Sequence, residues 1–305
     1  MTLKVSDIGE KELIKYIIAN SPSVVPDDTA ITQISFDNLI STCDMLTESK
    51  HFPKNMSYYD MGFKAVTVNV SDLAAMGAQP IGFLLAMGIP KDLNLDSFKQ
   101  LIDGVLKACE FYDIPLIGGD TNETSEIILT GTALGSCDRP LMKNTYAEGD
   151  LIAVTGDVGH AALGFNLDVF DNIYVKKALK PKARIKEGIM LKDLATSATD
   201  ITDGLASELY EIKKDGFGFM IYEEAFEVTS EFKDLANSLN LDYLELMLYV
   251  GEDFELLFTI SKDDVDKLNC DYKIIGEVNN SNRVEITLEN NLVLEMENRG
   301  YEHLC

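Results

Sequence analysis

Segments with helical and strand-like patterns alternate along this chain, and this alternation restricts the fold more than any other feature of the sequence. Residues 60–76 carry apolar side chains at helical spacing, and the Gly-Ala-Gln-Pro sequence at 77–80 ends that segment. A continuous apolar run over 81–89 follows, which is typical of a buried strand. Residues 95–112 again have one apolar face at helical spacing. The alternation predicts an α/β protein in which helices cover a sheet.

A stretch rich in proline, asparagine, glycine and charge, residues 138–149, interrupts this pattern. We therefore expect an N-terminal α/β domain over residues 1–140 and a C-terminal α/β domain over residues 141–305. The other expected elements of the first domain are a helix at 10–19, strands within 31–42 turning near Asp37-Asn38, and strands at 115–118 and 127–134. Those of the second are strands at 151–155, 197–201, 254–260 and 274–278, a hairpin within 284–294, and helices near 161, at 186–195 and from 205.

Composition and charge exclude several classes of protein. The 305 residues include 51 acidic and 26 basic side chains, for a net charge of −25, and a surface of this sign repels nucleic acid. The five cysteines are widely spaced and form no CxxC pair, so neither a zinc site nor a disulfide framework is indicated. No apolar run reaches the roughly 18 residues that cross a membrane, and residues 1–6 do not resemble a signal peptide. We expect a cytoplasmic protein without a membrane partner.

Acidic residues lie at predicted turns and element ends, and some interrupt apolar segments. The set comprises Asp28, Asp44, Asp72, Asp120, Asp200 and Asp203, with Glu252-Asp253 after Gly251. A carboxylate in an apolar segment is costly unless it is paired or bound to a metal. Converging carboxylates also raise one another's pKa values, and a divalent cation relieves that conflict. The pattern indicates a Mg²⁺ site of the kind that serves a phosphate-bearing substrate.

Each of these residues also has a purely structural interpretation. Asp28 fits a turn, Asp203 fits an N-cap before the helix at 205, and Asp120 fits a turn after a strand. Asp72 fits such a role least well because it lies within an apolar helical segment. The sequence has no GxxxxGK[ST] and no GxGxxG, so neither a P-loop nor a Rossmann site is indicated. It also has no GxSxG elbow, and no catalytic nucleophile is expected.

The motifs that carry these residues resemble those of thiamine-monophosphate kinases, within the superfamily typified by aminoimidazole ribonucleotide synthetase. The strongest match is VNVSDLAAMGA at 68–78. The others, in the family's order, are DDTA at 27–30 with Pro26 where glycine is usual, TCDML at 42–46 with HF at 51–52, GGDT at 118–121, DITDGL at 200–205, GEDFEL at 251–256 and GYEH at 300–303. The resemblance covers most of the chain.

This resemblance implies a fold and a reaction. The fold would have two α/β domains, with the N-terminal domain dimerising through its sheet to give a homodimer. The reaction would be direct in-line transfer of the γ-phosphoryl group of ATP to thiamine monophosphate, yielding thiamine diphosphate without a phosphoenzyme. Several Mg²⁺ ions would assist this transfer.

The resemblance also implies roles for individual residues. It places Mg²⁺ ligands at Asp28, Thr42, Cys43, Asp44, Asp72, Asp120, Asp200 and Asp203. It places ATP contacts at Gly119, Asp120, Lys143 and Thr202, and substrate contacts at His51, Glu252 and Tyr301. Cys43 replaces a serine or threonine, and a thiol is a poor Mg²⁺ ligand, although a contact through the backbone carbonyl would be unaffected. Lys143 replaces an arginine, which keeps the charge but loses the planar fork.

Two alternatives remain open from the sequence. One is another ATP-using activity of the superfamily, such as aminoimidazole ribonucleotide synthetase or the hydrogenase-maturation type. The other is a non-catalytic protein that binds a nucleotide or a metal as a regulator. The chain lacks a D-x-D-x-D-G calcium loop, which would have favoured the regulator. Consumption of ATP separates an enzyme from a regulator.

Overall fold

The computed structural model describes residues 3–22, 38–167 and 171–301. The chain divides into two compact units, one formed by Met1–Leu73 and Ala78–Asp138 and the other by Ala74–Gly77 and Arg139–Cys305. Within the described ranges, no helix is long and apolar enough to cross a membrane. The predicted metal ligand Asp28 lies outside the described residues.

The first unit contains a four-stranded sheet. Its elements are α1 (Val5–Ile8), α2 (Glu10–Asn20), β1 (Asn38–Thr47), α3 (Glu48–His51), α4 (Tyr58–Ala75), β2 (Gln79–Ile89), α5 (Leu95–Phe111), β3 (Leu116–Glu123) and β4 (Ile128–Cys137), the last two residues of α4 belonging to the second unit. The strand order is β1-β4-β2-β3, which puts β1 and β3 at opposite edges. Strands β2 and β3 are parallel, whereas β4 pairs antiparallel with both β1 and β2.

Helices α4 and α5 pack backbone to backbone. A Cβ atom at Gly62 would lie 2.0 Å from the Leu101 carbonyl oxygen, and one at Gly104 would lie 1.9 Å from the Tyr59 carbonyl oxygen. Only glycine permits this approach at either position. The Ser57 hydroxyl accepts a hydrogen bond from the Asp60 N–H at 3.1 Å, which satisfies an otherwise unpaired donor at the start of α4. Together these contacts fix the helix that carries Asp72.

Strand β1 presents two different faces. Successive strand residues point to opposite sides of a sheet. Thr42, Asp44 and Leu46 are buried or half-buried on one side, whereas Leu39 and Met45 on the other side are 53% and 59% exposed. The polar residues of the candidate site therefore share the protected face of β1, and apolar residues share its open face.

The second unit contains a seven-stranded sheet. Its elements are β5 (Leu151–Thr155), α6 (His160–Gly164), α7 (Ile173–Leu179), α8 (Ile185–Leu191), β6 (Ala195–Asp200), α9 (Leu205–Ile212), β7 (Gly218–Tyr222), α10 (Ser230–Ser238), α11 (Tyr243–Tyr249), β8 (Leu256–Ile260), β9 (Tyr272–Asn279), β10 (Val284–Thr287) and β11 (Val293–Glu295), with 3₁₀ turns at Glu223–Phe226 and Val265–Lys267. The strand order is β11-β10-β7-β9-β5-β8-β6. Side chains such as Phe219, Leu257 and Ile275 form its core.

The predicted α/β class is confirmed, and the long helices at 60–76 and 95–112 are found nearly as expected. Three local predictions were wrong. Asn38 begins β1 instead of forming a turn, because its backbone pairs opposite Cys137, while residues 31–37 lie outside the described part of the chain. Asp120 lies inside β3, not after it, and Ala195 starts β6 instead of ending a helix. Strand β7 was not predicted.

Candidate active site

In the first unit, a group of predicted site residues lies where β1 faces α4. The Thr42 hydroxyl donates a hydrogen bond to a carboxylate oxygen of Asp72. Burial first, and then the negative charge of Asp72 and a hydrogen bond with it, together raise the pKa of Asp44 to about 7. The structure therefore brings Thr42, Asp44 and Asp72 together, and it places two carboxyl groups close enough to oppose each other's ionisation.

Asn69 supports this arrangement and was not predicted from the sequence. Its side-chain oxygen accepts the Asp44 N–H at 3.2 Å, and its amide group donates to the Ala65 carbonyl at 3.1 Å. A Cβ atom at Gly131 would lie only 2.3 Å from the Asn69 amide nitrogen, so glycine is needed there. The available signal was a second polar residue inside the apolar segment, three positions before Asp72.

The Cys43 side chain does not join this group. It is exposed and lies opposite Thr132, on the open face of β1, whereas Asp44 lies opposite Gly131 on the protected face. The thiol is therefore directed away from the Asp72 carboxylate. Only the backbone of Cys43 remains suitably placed for the predicted metal contact.

The structure does not bring Asp120 to Asp44 and Asp72 within one chain. Asp120 lies on edge strand β3, where it is opposite Ala86 of β2. Ala86 is opposite Thr130 of β4, and Thr130 is opposite Met45 of β1, so Asp120 and Met45 lie in one row across the sheet. Asp120 thus belongs to the open face and to the other edge of the sheet, separated from β1 by the two strands β4 and β2. Its neighbour Gly119 is packed so closely that a Cβ atom would lie 1.9 Å from the Leu85 carbonyl oxygen.

His51 is positioned by a buried lysine. The ring Nδ1 of His51 accepts the Thr47 N–H at 3.0 Å. The Lys64 ammonium group donates to the His51 carbonyl oxygen at 3.0 Å, and Lys64 is only 1% exposed. A fully buried lysine is rare. Its importance escaped the sequence analysis, because one lysine in an apolar helical segment does not reveal its backbone partner.

A separate group of predicted site residues, within the second unit, lies in the loop that joins β6 to α9. Asp200 ends β6, and Thr202 and Asp203 follow it. The buried carboxylate of Glu208, on α9, accepts hydrogen bonds from the Thr202 hydroxyl at 3.3 Å and from the Asp203 N–H at 3.3 Å. Burial raises the pKa of Glu208, whereas the hydrogen bond from the Asp203 N–H lowers it, and the net result is a pKa of about 7. Glu208 was also missed by the sequence analysis.

Backbone hydrogen bonds connect Glu252 and Tyr301, two other predicted residues of this unit, to the same loop. The Glu252 N–H donates to the Thr202 carbonyl at 2.8 Å, and the Tyr301 N–H donates to the Asp203 carbonyl at 2.9 Å. Lys143 forms an ion pair with Glu211 at 2.7 Å. Burial alone would lower the pKa of Lys143, but the hydrogen bond and charge of Glu211 outweigh burial and raise it.

The donor chemistry of the first unit suits Mg²⁺. The Thr42 hydroxyl and the carboxyl groups of Asp44 and Asp72 are hard oxygen donors, and a cation between the two carboxyl groups would remove the repulsion that raises the pKa of Asp44. No group of three or more His, Cys, Asp or Glu side chains with metal-binding geometry occurs within residues 3–22, 38–167 and 171–301. The described residues thus supply two carboxylates and one hydroxyl, but not a complete cage.

Two family models match this chain. The model of the AIR synthase related protein N-terminal domain matches residues 26–137, and that of the AIR synthase related protein C-terminal domain matches residues 147–289. The hydrogenase maturation protein HypE in complex with ATP has the same fold, with a TM-score of 0.78 at 17% identity, over 97% of this chain and 96% of that one.

Thiamine-monophosphate kinases are more similar still. The enzyme of Pyrococcus abyssi is 36% identical over 284 residues, which cover 92% of this chain and 90% of the relative. That of Methanocaldococcus jannaschii is 35% identical, over 85% of this chain and 86% of the relative. The structure of AaThiL complexed with AMPPCP and TMP aligns over 100% of both chains with a TM-score of 0.79 and 28% identity. The chain belongs to the thiamine-monophosphate kinase family.

Proposed function

We propose that this protein transfers the γ-phosphoryl group of ATP to the phosphate of thiamine monophosphate, forming thiamine diphosphate and ADP. Membership of the family supports the reaction, and a relative has been solved with AMPPCP and TMP. The observation that carries the proposal is the contact of Thr42 and Asp44 with Asp72, where paired carboxyl groups favour a bound cation. Such a site suits the transfer of a phosphoryl group between two phosphate-bearing molecules.

Mg²⁺ would be held in the first unit by Thr42, Asp44 and Asp72, with the backbone of Cys43 beside them. The remaining ligand roles fall to Asp28, Asp120, Asp200 and Asp203 by resemblance. When bound, Mg²⁺ neutralises charge on the phosphate oxygens. The residues themselves fix the positions of these oxygen donors, because Asn69 holds Asp44 and Glu208 holds the loop at Thr202.

Substrate and nucleotide contacts complete the proposal. Gly119, Lys143 and Thr202 would contact ATP, and His51, Glu252 and Tyr301 would contact thiamine monophosphate. Tyr301 is 49% exposed, and an aromatic side chain at such a position suits stacking on a cationic heterocycle. No protein nucleophile is needed, because the acceptor phosphate is already ionised near neutral pH, and positioning then supplies most of the rate.

The open face of the first sheet would bind a second copy of the chain. Leu39 and Met45 are more than half exposed there, and this apolar face is the surface through which we propose a homodimer forms. Asp44 and Asp120 lie at opposite edges of the sheet, so one chain cannot join them. We propose that in the dimer the edge strand β3 of the partner subunit lies beside edge strand β1, where Asp120 of the partner subunit would complete the site that contains Asp44.

ATP turnover by the purified protein tests the proposal. Thiamine monophosphate and thiamine would be offered separately with Mg²⁺, and thiamine diphosphate would be followed by chromatography. We expect diphosphate from the monophosphate only, and none after addition of a chelator. If ATP were hydrolysed only with a different acceptor, the protein would have another activity of the superfamily.

A further inference from the structure

The segment that presents Glu252 has an unusual backbone. Glu252 and Phe254 have φ angles of 71° and 53°, in the left-handed region that non-glycine residues seldom adopt. Asp253 lies between them. Two such residues within three positions persist only where the surrounding structure imposes them. The contacts that hold this segment therefore decide whether Glu252 keeps its place.

Part of that constraint comes from the loop at Thr202. The Phe254 N–H donates to the Ile201 carbonyl at 3.0 Å, and the Ile201 N–H donates to the Glu255 carbonyl at 2.8 Å. With the bond from the Glu252 N–H to Thr202, these contacts align residues 252–255 with residues 201–202. They fix the register of the segment, but a backbone ladder alone does not require left-handed residues.

The side chain of Asp253 supplies an anchor on a different element. It is 8% exposed, and its two carboxylate oxygens accept the Gly159 N–H at 2.7 Å and the Ala161 N–H at 3.1 Å. Gly159 has a φ of 83° and directly precedes α6. Both N–H groups lie at the start of α6, the first on the residue that precedes the helix, and neither has an acceptor within the helix. Asp253 thereby ties the segment to α6 between its two left-handed residues.

Glu255 anchors the end of the segment independently. Its carboxylate accepts two hydrogen bonds from the Arg184 guanidinium, at 2.6 and 2.7 Å, and one from the Thr155 hydroxyl at 2.8 Å. This bidentate pair fixes the point where the segment enters β8. Asp253 is thus the side-chain anchor closest to Glu252, one residue away from it.

We propose that Asp253 is a positioning residue for substrate recognition, whose carboxylate holds the backbone of Glu252 in its left-handed conformation beside Thr202 and Asp203. This inference rests on the proposed function, in which Glu252 contacts thiamine monophosphate. Asp253 itself does not touch the substrate. Thr202 is held separately by Glu208, so loss of the Asp253 anchor affects the thiamine monophosphate contact more than the ATP contact.

The test is the variant Asp253→Asn. Its amide group has one oxygen, so at least one of the two N–H groups of α6 loses its acceptor. We expect KM for thiamine monophosphate to rise about tenfold while KM for ATP changes by less than about twofold. Amide hydrogen exchange at Gly159, Ala161 and Glu252 should become faster in the same variant.

A matched control separates positioning from general loss of stability. The buried Tyr146 hydroxyl donates to the Ile212 carbonyl at 2.9 Å in the same unit, so Tyr146→Phe should lower Tm without changing KM for thiamine monophosphate. If Asp253→Asn fails to fold, Asp253→Ser also leaves only one acceptor oxygen but adds no N–H donor to the buried site, and it should show the same KM split.

Three results would overturn the inference: an unchanged KM for thiamine monophosphate, equal increases in both KM values, or the same increase in Tyr146→Phe. Failure of the proposed function is distinguishable, because wild-type protein would then not convert thiamine monophosphate at all. The hydrogen-exchange measurement tests the Asp253 anchor in that case as well, and unchanged exchange in Asp253→Asn would refute it.

Discussion

The hydroxyl of Thr42 donates a hydrogen bond to the carboxylate of Asp72, which joins β1 to α4 beside Asp44. A contact of this kind holds oxygen donors from two elements in fixed positions before any ligand arrives. We expect Asp44→Asn to lower kcat roughly 100-fold, because the amide keeps the shape of the side chain but cannot supply its charge. Thiamine diphosphate formation measures the loss, and circular dichroism checks the fold.

Asp60→Asn is the control for this prediction. Asp60 lies in the first turn of the same helix, where it accepts a hydrogen bond from Ser57 at 2.6 Å, away from the candidate site. Its activity should remain within about twofold of wild type. Near-normal activity of Asp44→Asn would refute the role of the Asp44–Asp72 pair.

Complementation between two inactive variants tests the shared site. Asp44→Asn and Asp120→Asn should each be inactive alone. If each site joins Asp44 of one chain to Asp120 of the partner subunit, a mixed dimer has one site with both substitutions and one intact site. Random reassortment makes half of the dimers mixed, so about a quarter of wild-type activity should return. No recovery after proven subunit exchange would place both residues of each site in one chain.

The open sheet face gives a prediction about assembly. Met45→Asp places a charge in the proposed apolar interface, where it would be desolvated, so we expect monomers by analytical ultracentrifugation. The exposed Cys43 thiol, two residues away, should then react faster with a thiol reagent. Ile173→Asp, at a residue 62% exposed in the second unit, is the matched control and should not change the mass. A Met45→Asp protein with wild-type mass would exclude this face as the interface.

Glu208 should affect nucleotide binding through the loop it holds. Glu208→Gln replaces the carboxylate by a neutral amide, which weakens the charge-assisted hydrogen bonds that Thr202 and Asp203 donate to one shared oxygen of Glu208. We expect KM for ATP to rise about tenfold with a smaller change in KM for thiamine monophosphate. Glu289→Gln, which breaks only the ion pair with Lys233, should leave both values unchanged. A normal KM for ATP in Glu208→Gln would show that the loop holds its shape without this carboxylate.

His160 should make stability depend on pH. Burial, and then the positive charge of Lys177, lower its pKa from 6.5 to about 4, although the negative charge of Asp157 opposes them. The unfolded chain therefore binds a proton that the folded chain does not, and stability falls as pH decreases from about 6.5 towards 4. Between pH 7 and pH 5 this group should remove about 2 kcal/mol from the free energy of unfolding.

His160→Phe isolates that contribution. The imidazole packs against Tyr174 and Phe232, with ring centroids 4.8 and 5.4 Å away, so a phenyl ring suits the position. Urea unfolding at pH 7 and pH 5 gives the free energy of unfolding of both proteins. Between these pH values the variant should lose about 2 kcal/mol less than the wild type. An equal loss in both proteins would mean that other groups cause the pH dependence.

The sequence predicted best what depends on local pattern. Asp72 stood out because a carboxylate interrupts an apolar helix, and the structure places it against Thr42. Asn38 was misread because Asp-Asn pairs favour turns, whereas pairing with β4 overrides that local preference. The separation of Asp44 from Asp120 follows from the strand order β1-β4-β2-β3, which depends on pairing between distant segments.

The supporting residues were missed for a related reason. Lys64 and Glu208 are buried because each meets a specific backbone group, the His51 carbonyl in one case and the Asp203 N–H in the other. Those partners are 13 and 5 residues away, and nothing in the local periodicity identifies them. A charged residue on a buried helical position is therefore a useful signal, even when its partner is unknown.

The two faces of β1 have a consequence for how this family can change. The candidate metal ligands and the proposed interface occupy alternate positions of the same ten-residue strand, with Thr42 and Asp44 on one side and Cys43 and Met45 on the other. Inserting one residue before Thr42 would reverse the direction of every later side chain in the strand. It would remove the ligands and disrupt the proposed interface in a single step. We therefore expect a one-residue insertion in β1 to be more damaging than a substitution at any one of its positions.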